Sequence, residues 1–209
     1  MKTLDAIKKV RETSRKRKFI QTWDISIGLK NLDLRKPENR INSEFVLPEG
    51  RGKDQKVLVI ADALAKEARD HADHVITKQE LEAIGKDKKK IKKMAEYDRI
   101  LCEASLMAHV GKNLGAILGP RGKVPKPIPP KAVIEPFVKI AKRTVRISLR
   151  DNPVVHIAVG TEDMEDPKVA KNVDAVLNFI KDKLPKGSTN IKTAYLKLTM
   201  SKPVKLEVV

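Results

Sequence analysis

The chain has 209 residues, of which 41% are hydrophobic, and this composition is typical of folded globular proteins. No apolar run approaches the roughly 18 residues of a membrane-spanning helix, and the first residues lack the apolar core of a secretory signal. The single cysteine, Cys102, excludes an intramolecular disulfide framework and multi-cysteine metal sites. We therefore expect an intracellular, cytoplasmic protein.

The net charge is the strongest compositional signal. The chain has 44 Lys and Arg against 27 Asp and Glu, a formal net charge of +17. A polyanionic partner explains this surplus, because each neutralised phosphate releases condensed counterions. A heat-adapted surface is the alternative, but its charges tend to balance. Aromatic residues make up only 3%, so we expect nucleic-acid binding through backbone and hydrogen-bond contacts rather than through a row of stacked bases.

The first third of the chain is predicted to contain one helix and two strands. Apolar residues at three-residue spacing indicate a helix at 4–13, and a wholly basic segment follows at 15–18. The period then changes to two, which predicts a strand with one apolar side formed by Phe19, Trp23, Ile25, Ile27 and Leu29. A polar loop at 30–40 leads to a second strand at 41–47, and segment 47–53 has the composition of a hinge.

Strands and helices alternate in the middle of the chain. Strands are predicted at 57–61, 74–76, 98–102 and 144–149, and helices at 62–70, 78–84, 105–114 and 134–142. Continuous apolar strands that alternate with helices indicate a parallel sheet buried on both faces.

The last third returns to strands of alternating polarity, at 154–160, 191–200 and 204–209, with a helix at 166–182. We therefore expect an α/β protein in which a second domain is inserted into the first. An α+β first domain is predicted at 1–52 plus 151–209, and a parallel α/β domain at 53–150. Hinges are expected at the two breaks, at Gly50 and Gly52 and at Asn152 and Pro153.

One Gly- and Lys-containing segment invites a phosphate-loop interpretation. It reads Leu118-Gly-Pro-Arg-Gly-Lys-Val-Pro-Lys-Pro127. The spacing of the glycines is too short for that loop, Val124 stands where Ser or Thr is needed, and the prolines oppose a following helix. A nucleotide-dependent enzyme with Gly119–Lys123 as its phosphate cradle is the second hypothesis, and a general basic DNA-compaction protein is the third.

Other polar residues point to no catalytic or metal chemistry. The lysine-rich segment 86–93 either contacts phosphate or is a solvated face. His71 and His74 have the spacing of a metal pair, but without further ligands a polar helix end is the simpler interpretation. Cys102 lies in an apolar strand, where a small buried side chain is expected. We therefore predict no enzyme activity, no metal and no cofactor.

Two polar strand faces are better candidates for a binding site. Thr22 and Asp24 lie on one predicted strand, and Thr193 and Thr199 lie on another. If these strands share a sheet, their hydroxyl and carboxylate groups can bond ribose, base edges or a 2′-hydroxyl. The alternatives are an ordinary solvated sheet face, and an Asp24 that only orients Lys18 or Arg35.

Four ordered segments resemble one protein family. The 118–127 segment resembles the signature of the large-subunit ribosomal stalk family numbered one (the L-one family), and Thr193-Ala-Tyr-Leu-Lys-Leu-Thr-Met-Ser201 resembles its closing strand. Segments 18–24 and 47–53 match in the same order. The short amino terminus and Lys36-Pro-Glu-Asn-Arg40 resemble the archaeal branch.

The resemblance implies a fold and a function. The fold is a split β-α-β first domain with an inserted Rossmann-like, three-layer α/β domain. The implied partners are large-subunit ribosomal RNA at the mobile stalk near the tRNA exit site, deacylated tRNA, whose release the family assists, and the protein's own mRNA, which many members repress. The protein is expected to be monomeric when free and to contact no membrane.

The resemblance also implies an RNA-facing set of residues: Lys18, Phe19, Thr22, Asp24, Arg35, Thr193, Thr199, Met200 and Ser201. Additional basic contacts are expected from Arg15, Lys16, Arg17 and Lys202. Asp24 stands where many members carry Glu, and Ser201 where Gly is usual. Ser201 costs affinity if the RNA approaches its backbone closely or if its φ must be positive. The Gly-Pro-Arg-Gly segment is expected to serve the second domain's own structure or the interdomain cleft.

Overall fold

In the computed structural model the chain folds into two compact units, and the structure describes residues 1–85, 87–94, 96–130, 132–150 and 152–207. Unit 1 comprises Met1–Lys53 and Arg143–Val209, and unit 2 comprises Asp54–Lys142. Asp151 at the predicted domain boundary, Lys86 of the lysine-rich segment, and residues 208 and 209 of the predicted last strand lie outside the described residues. No helix of the described ranges is long and apolar enough to cross a membrane.

The elements follow one another in the order that the alternating patterns predict, with two additions, α4 and β6. The helices are α1 Thr3–Thr13, α2 Ala65–His71, α3 Lys78–Gly85, α4 Lys88–Met94, α5 Met107–Leu118, α6 Ile134–Arg143 and α7 Asp166–Lys183. The strands are β1 Thr22–Leu29, β2 Ile41–Val46, β3 Val57–Ile60, β4 His74–Ile76, β5 Arg99–Glu103, β6 Lys126–Ile128, β7 Thr144–Leu149, β8 Val154–Thr161, β9 Ile191–Leu198 and β10 Val204–Leu206.

The main sheet of unit 1 has the strand order β10-β9-β1-β8, and its neighbouring strands are antiparallel. Buried and half-exposed side chains alternate strictly along β1, with Trp23, Ile25 and Ile27 on the buried side. Helices α1 and α7 pack on that side and bury Ile7 and Val173 in the same core. Because strand side chains alternate between two faces, the polar side chains of β1 are left on the opposite face.

Phe19 does not belong to β1, contrary to the predicted pattern. The chain bends at residues 18 and 19, and the strand begins at Thr22. The Phe19 side chain is therefore 52% exposed rather than part of the core. The period-two pattern made the predicted strand begin too early, because the apolar residue at the bend fits the same period as those within the strand.

A second, two-stranded sheet changes the predicted domain boundary. Strand β7 pairs antiparallel with β2, with Ile41 opposite Leu149 and Val46 opposite Thr144. The chain therefore returns to unit 1 between residues 142 and 143, and the prediction that 144–149 closes the inserted domain is wrong. The apolar pattern of β7 fits either sheet, and only the pairing with a strand about a hundred residues away decides between them.

The same pairing corrects one of the two predicted hinges. Gly50 and Gly52 precede the boundary between residues 53 and 54, and both have a positive φ, of 71° and 73°. Asn152 and Pro153 instead connect β7 to β8 inside unit 1, where the carbonyl of Pro153 accepts a hydrogen bond of 2.8 Å from Leu29 N. They are therefore not placed at a connection between the units.

Unit 2 contains a parallel sheet with the strand order β4-β3-β5-β6. Helices α3, α4 and α5 contribute to the core on one face, which includes Leu58 and Ile100. Helices α2 and α6 contribute to the core on the other face, which includes Val59 and Leu101. Both faces of the sheet are covered, so the predicted three-layer α/β arrangement is confirmed.

The sequence patterns missed two elements of unit 2. Strand β6 contains Pro127, and proline within a run of residues argues against a strand unless that strand lies at a sheet edge. β6 occupies such an edge. Helix α4 covers most of the lysine-rich segment and buries Ile91 and Met94, two apolar positions that the surrounding lysines obscure.

Candidate RNA-binding surface

The half-exposed side of the main sheet in unit 1 forms a polar surface, which we call the open face. Its central strand β1 contributes Thr22, Asp24 and Ser26. On the neighbouring strands, Lys197 lies opposite Asp24 and Tyr195 lies opposite Ser26 on β9, while His156 lies opposite Ser26 on β8. The two strands that carry the predicted threonines are therefore adjacent in one sheet. Tyr195 and Lys197 lie on this face and were not predicted as site residues.

Asp24 is the acidic group of the central strand, and its surroundings set its ionisation. Burial raises the pKa of the Asp24 carboxyl above its ordinary value, while the positive charges of Lys197, Arg51 and His156 act in the opposite direction. The carboxylate is therefore less well solvated than on an open surface. Hydrogen-bond donors from a bound partner, such as a 2′-hydroxyl or an amino group, would compensate for the lost solvation of the carboxylate.

The beginning of β1 is tied to the turn after β9, residues 199–202. The hydroxyl of Thr199 accepts a hydrogen bond of 3.0 Å from Thr22 N. The following Met200 side chain is 58% exposed. Lys18, Phe19, Thr22 and Asp24 lie on or before β1 at this end, so most of the predicted RNA-facing set shares one end of the sheet with the 199–202 turn.

Gln21 holds this end of the sheet together, although sequence reasoning did not select it. The side chain has 0% exposure. Its Oε1 accepts a hydrogen bond of 3.1 Å from Met200 N, and its Nε2 donates one of 3.3 Å to Ser14 Oγ. Gln21 thus fixes the 199–202 turn against the end of the first helix. Its burial and its hydrogen bonds depend on the fold, so no local pattern of residues identifies it as a site residue.

Arg11 supports Gln21 from the helix side. Its guanidinium forms an ion pair of 2.6 Å with Asp166 and donates hydrogen bonds to the carbonyl oxygens of Glu162 and Met164, at 3.0 and 2.7 Å. The carboxylate of Glu162 accepts a hydrogen bond of 3.2 Å from Gln21 N, and Glu162 N donates one of 2.8 Å to the carbonyl oxygen of Gln21. The polar contacts behind the turn are therefore fixed before any ligand binds.

Ser201 adopts a conformation that the sequence left open. Its φ is not positive, since Asn31 is the only non-glycine residue with a positive φ in the described ranges. Its hydroxyl accepts a hydrogen bond of 2.8 Å from Leu198 N and lies 3.3 Å from the carbonyl oxygens of Leu198 and Lys202. Ser201 therefore closes the turn with its side chain, and no glycine conformation is required.

A basic segment leads into this end of the sheet. Residues 15–18, which we call the basic junction, are Arg15, Lys16, Arg17 and Lys18, and all four are exposed. Within the described part of the chain none of them has an ion-pair partner. Ile20, which was not predicted as a site residue, is 61% exposed beside Phe19. Lys202 is exposed after the turn.

Two predicted residues lie away from this cluster. Thr193 is opposite Gly28, near the other end of β1, and six residues of strand separate it from Thr199 by about 20 Å. Arg35 is exposed in the loop after β1. That loop is held to Asn190, whose Nδ2 donates a hydrogen bond of 3.1 Å to the carbonyl of Lys30. The structure thus separates Thr193 and Arg35 from the Thr22–Thr199 end.

The Gly119–Lys123 segment does not form a phosphate cradle. It follows the carboxyl end of α5, where Gly122 N and Lys123 N donate hydrogen bonds to the carbonyls of Gly119 and Leu118. A helix carboxyl end carries partial negative charge and repels phosphate. The amine of Lys123 donates a hydrogen bond of 2.7 Å to the carbonyl of Tyr97. The segment therefore has a structural role within unit 2.

The carboxyl edge of the parallel sheet is closed by Glu103. Nucleotides bind in α/β proteins where the strand order reverses at this edge. Here Glu103 accepts hydrogen bonds from Asp62 N and Ala63 N, at 3.0 and 3.2 Å, and one from Ser105 Oγ at 2.7 Å. Burial acts to raise the pKa of the Glu103 carboxyl, but these hydrogen bonds outweigh it and hold the pKa below its ordinary value. A negative charge thus occupies the position that a phosphate would need.

The remaining candidates for chemistry are not assembled into a site. Burial raises the pKa of the Cys102 thiol to about 12, and Glu103 adds to this shift, so the thiol is a poor nucleophile. No group of three or more His, Cys, Asp and Glu side chains among the described residues is arranged to hold a metal ion. His74 opens β4 and His71 ends α2, so the two histidines lie on different elements.

Comparisons with known proteins agree with the resemblance seen in the sequence. A model of the ribosomal protein L1p/L10e family matches residues 8–202. The large ribosomal subunit protein uL1 of Methanothermobacter thermautotrophicus is 47% identical over 206 residues, which are 97% of each chain. The protein of the same name from Thermococcus kodakarensis is 46% identical over 209 residues, which are 99% of this chain and 97% of the relative.

These matches span both units of the chain. The uL1 protein of Methanocaldococcus jannaschii is also 46% identical, over 98% of this chain and 94% of its own. The chain therefore belongs to the ribosomal protein L1p/L10e family, and these relatives are archaeal, as the resemblance implied. Their names are those of ribosomal proteins and not of enzymes.

Proposed function

We propose that this member of the ribosomal protein L1p/L10e family is a structural, non-enzymatic constituent of the large ribosomal subunit that binds ribosomal RNA through unit 1. The observation that carries the proposal is the Thr22–Thr199 end of the open face. Hydroxyl, carboxylate and apolar side chains converge there beside the basic junction. The family membership supplies the ribosome as the setting, and with it a cytoplasmic location.

The two parts of this surface contribute differently to binding. The basic junction neutralises phosphates, which gives affinity and fast association without sequence preference. Thr22, Asp24 and Thr199 present donors and acceptors that only an RNA of matching shape can satisfy, so they select the RNA fold. Because Gln21 and Ser201 fix the turn in advance, little conformational entropy is lost when the RNA binds.

The finer assignment follows from the family resemblance. The RNA is proposed to be that of the mobile stalk near the tRNA exit site, where the protein assists the release of deacylated tRNA. A similar RNA fold in the protein's own mRNA would present the same groups to the open face, and binding there would repress translation. The free protein is proposed to be a monomer.

The test is a binding titration over a range of salt concentrations. The full chain is titrated with a large-subunit stalk RNA, with an unrelated RNA of equal length and with duplex DNA. We expect the stalk RNA to bind most tightly at every salt concentration, with the preference widening as salt rises. Equal affinity for the three nucleic acids would contradict the proposal and favour a general basic DNA-compaction protein. Deacylated tRNA and the protein's own mRNA leader test the finer assignment in the same assay.

The variant Thr199→Ala tests the selective part of the surface. It removes a hydroxyl that is proposed to hydrogen-bond the RNA and leaves the RNA group unsatisfied in the complex, so stalk-RNA binding should weaken by about 1–3 kcal/mol. Thr189→Ala is the matched control, because Thr189 is exposed in the 3-10 turn before β9, at the opposite end of that strand. Equal affinity of the two variants would remove Thr199 from the site.

Neutralising the basic junction tests the part of the surface that binds phosphates without sequence preference. Alanine at Arg15, Lys16, Arg17 and Lys18 should weaken binding to all RNAs alike and flatten the salt dependence by roughly one unit per lost phosphate contact. The control carries alanine at four exposed lysines of the helix-covered side, namely Lys2, Lys8, Lys183 and Lys186. A loss of discrimination with an unchanged salt slope would assign the junction to shape selection instead.

A further inference from the structure

Unit 2 contains a cavity that the proposed RNA site does not use. Its volume is about 430 Å³, within the roughly 300–1,000 Å³ of small-molecule sites. It lies at the amino end of the parallel sheet, lined by Lys56 before β3, His74 at the start of β4 and Tyr97 before β5. It is therefore at the opposite edge of the sheet from Glu103. Helix α4 forms the remaining wall.

One wall of the cavity is aromatic. The rings of His74 and Tyr97 are stacked, with centroids 5.9 Å apart and an angle of 16° between their planes. Apolar side chains extend this wall inward, from Ile76, Ile84 and Met94. The chain has only 3% aromatic residues, so a parallel pair of rings at a cavity is not a feature that composition alone would produce. A flat aromatic ligand can stack on such a pair.

The rim of the cavity is positively charged. Lys56, Lys90 and Lys93 are all exposed and contribute to the lining. None of the three makes a side-chain hydrogen bond or ion pair with a described residue. Glu96 is the one carboxylate among the described residues of the lining, and the nearby Asp98 carboxylate accepts a hydrogen bond of 3.1 Å from Lys56 N. Positive charge therefore exceeds negative charge around an apolar floor, as the binding of an anionic ligand requires.

We propose that this cavity binds a nucleotide, with the base against the His74–Tyr97 pair and the phosphate among Lys56, Lys90 and Lys93. An aromatic ring joined to a phosphate is the ligand chemistry that matches both the aromatic wall and the positively charged rim. The site differs from the nucleotide site of other α/β proteins, because that edge of the sheet is closed here by Glu103. It also gives a role to the lysine-rich segment, whose helix places Lys90 and Lys93 at the rim.

Such a nucleotide can come from two sources: it is either a free mononucleotide or one unpaired nucleotide of an RNA strand. The phosphate and the base present the same chemistry in both cases. The two sources differ in the number of phosphates next to the base, and therefore in how strongly the affinity depends on salt.

The test maps ligand contacts on the full chain by NMR. Isotopically labelled protein is titrated with adenosine 5′-monophosphate, adenosine, inorganic phosphate and a four-nucleotide single-stranded RNA. We expect saturable shift changes on the amides of the cavity lining, with the monophosphate at least about tenfold tighter than adenosine or phosphate alone. Shifts scattered over the basic surface, or equal affinity for inorganic phosphate and the monophosphate, would overturn the proposal.

Two variants test the aromatic wall and the positively charged rim separately. His74→Ala should weaken the monophosphate at least several-fold and leave inorganic phosphate unchanged, since the exposed His74 contributes a ring and not the main charge. Alanine at Lys56, Lys90 and Lys93 should abolish saturable binding of both. The matched control places alanine at Lys66, Lys112 and Lys142, which lie in unit 2 outside the cavity. A control as impaired as the cavity variant would overturn the assignment.

The wild-type shift map keeps the result interpretable if a variant fails to fold. The oligonucleotide distinguishes the sources, because binding at least tenfold tighter than the monophosphate indicates a strand of RNA, and equal or weaker binding indicates a free nucleotide. Stalk-RNA affinity of the His74→Ala variant is measured in parallel. It should not change if the source is a free nucleotide, because the proposed RNA surface belongs to unit 1, and it should fall if the unpaired nucleotide belongs to the stalk RNA.

Discussion

The two four-stranded sheets of this chain bury their apolar side chains in different ways. In unit 1 two helices cover one face of an antiparallel sheet, and the other face carries Thr22, Asp24 and Ser26. In unit 2 helices cover both faces of a parallel sheet, and β3 is apolar throughout. A half-covered sheet can present functional side chains on its strands, whereas a fully covered sheet offers only its edges. The RNA surface and the nucleotide cavity proposed here follow this difference.

The largest expected effects on the free energy of unfolding come from replacing core residues of the two sheets. Ile25→Ala should cost about 2–5 kcal/mol and Ser26→Ala about 0.5 kcal/mol or less, because the two side chains point to opposite faces of β1. In unit 2 both Ile100→Ala and Leu101→Ala should cost about 2–5 kcal/mol, because both faces are buried. Urea unfolding followed by Trp23 fluorescence reports on unit 1, and amide exchange in β5 reports on unit 2. A small cost at either Ile100 or Leu101 would contradict the two-sided burial.

Gln21→Ala should have the next largest effect. It leaves Met200 N without its acceptor at a part-buried position, which costs about 1–3 kcal/mol, and it releases the 199–202 turn. We expect lower stability of unit 1 and weaker stalk-RNA binding with an unchanged salt slope. Gln55→Ala is the matched control, because Gln55 is a buried glutamine of unit 2, with 3% exposure. Stalk-RNA affinity that falls equally in the control would show a general loss of fold rather than a role in positioning the turn.

Asp24→Asn should change stability and binding in opposite directions. Burial raises the pKa of Asp24 in the folded state above its ordinary value of 3.8, so ionisation at neutral pH opposes folding. The variant should therefore be the more stable protein at neutral pH. Its advantage should shrink as the pH falls through the raised pKa towards 3.8, because the wild-type carboxyl then becomes neutral as well.

The same substitution should weaken stalk-RNA binding, because a carboxylate accepts hydrogen bonds from RNA donors more strongly than an amide does. Wild-type binding should also weaken on acidification towards that pKa, and the variant should lack this dependence. Urea unfolding and RNA titration at several pH values measure both effects. A variant that loses stability at neutral pH would show that Lys197, Arg51 and His156 outweigh burial.

Ser201→Ala should have the smallest effect. The substitution removes the acceptor of Leu198 N at a partly solvated turn, which costs about 0.5–1.5 kcal/mol. Stalk-RNA affinity should fall less than in Gln21→Ala, because Gln21 still holds the turn through Met200 N. Ser188→Ala, at an exposed position of the 3-10 turn before β9, is the control. A large loss of RNA affinity with unchanged stability would mean that Ser201 contacts the RNA directly.

The order of the elements was largely predictable from local patterns. The alternation in β1 identified Trp23, Ile25 and Ile27 as core residues, and the continuous apolar run of β3 identified a strand buried on both faces. Two elements were hidden because their patterns contradict ordinary preferences. Pro127 lies in an edge strand, and the buried Ile91 and Met94 lie in a helix that is otherwise rich in lysine.

The candidate site was predictable in part. The residue pattern identified the basic segment 15–18 and placed Thr22, Asp24 and Thr199 on polar strand faces, and the resemblance added Met200 and Ser201. Gln21 was missed because one of its side-chain hydrogen bonds goes to Met200, which is remote in the sequence, and the other goes to Ser14, which belongs to no repeating pattern. The resemblance grouped Thr193 and Arg35 with Thr199, whereas the strand pairing places Thr193 opposite Gly28 and leaves Arg35 in the loop after β1.

Local periodicity and composition were enough to predict most of the core of β1 and β3, the polar strand faces and the excess of positive charge, although Phe19 was predicted to be buried and is exposed. Three features required the folded structure: β7 belongs to unit 1, Glu103 closes the carboxyl edge of the parallel sheet, and Gln21 fixes the turn at Met200. Each of these depends on contacts between residues that are far apart in the chain. Such contacts form when strands pair and helices pack, and a local pattern of residues is compatible with more than one pairing.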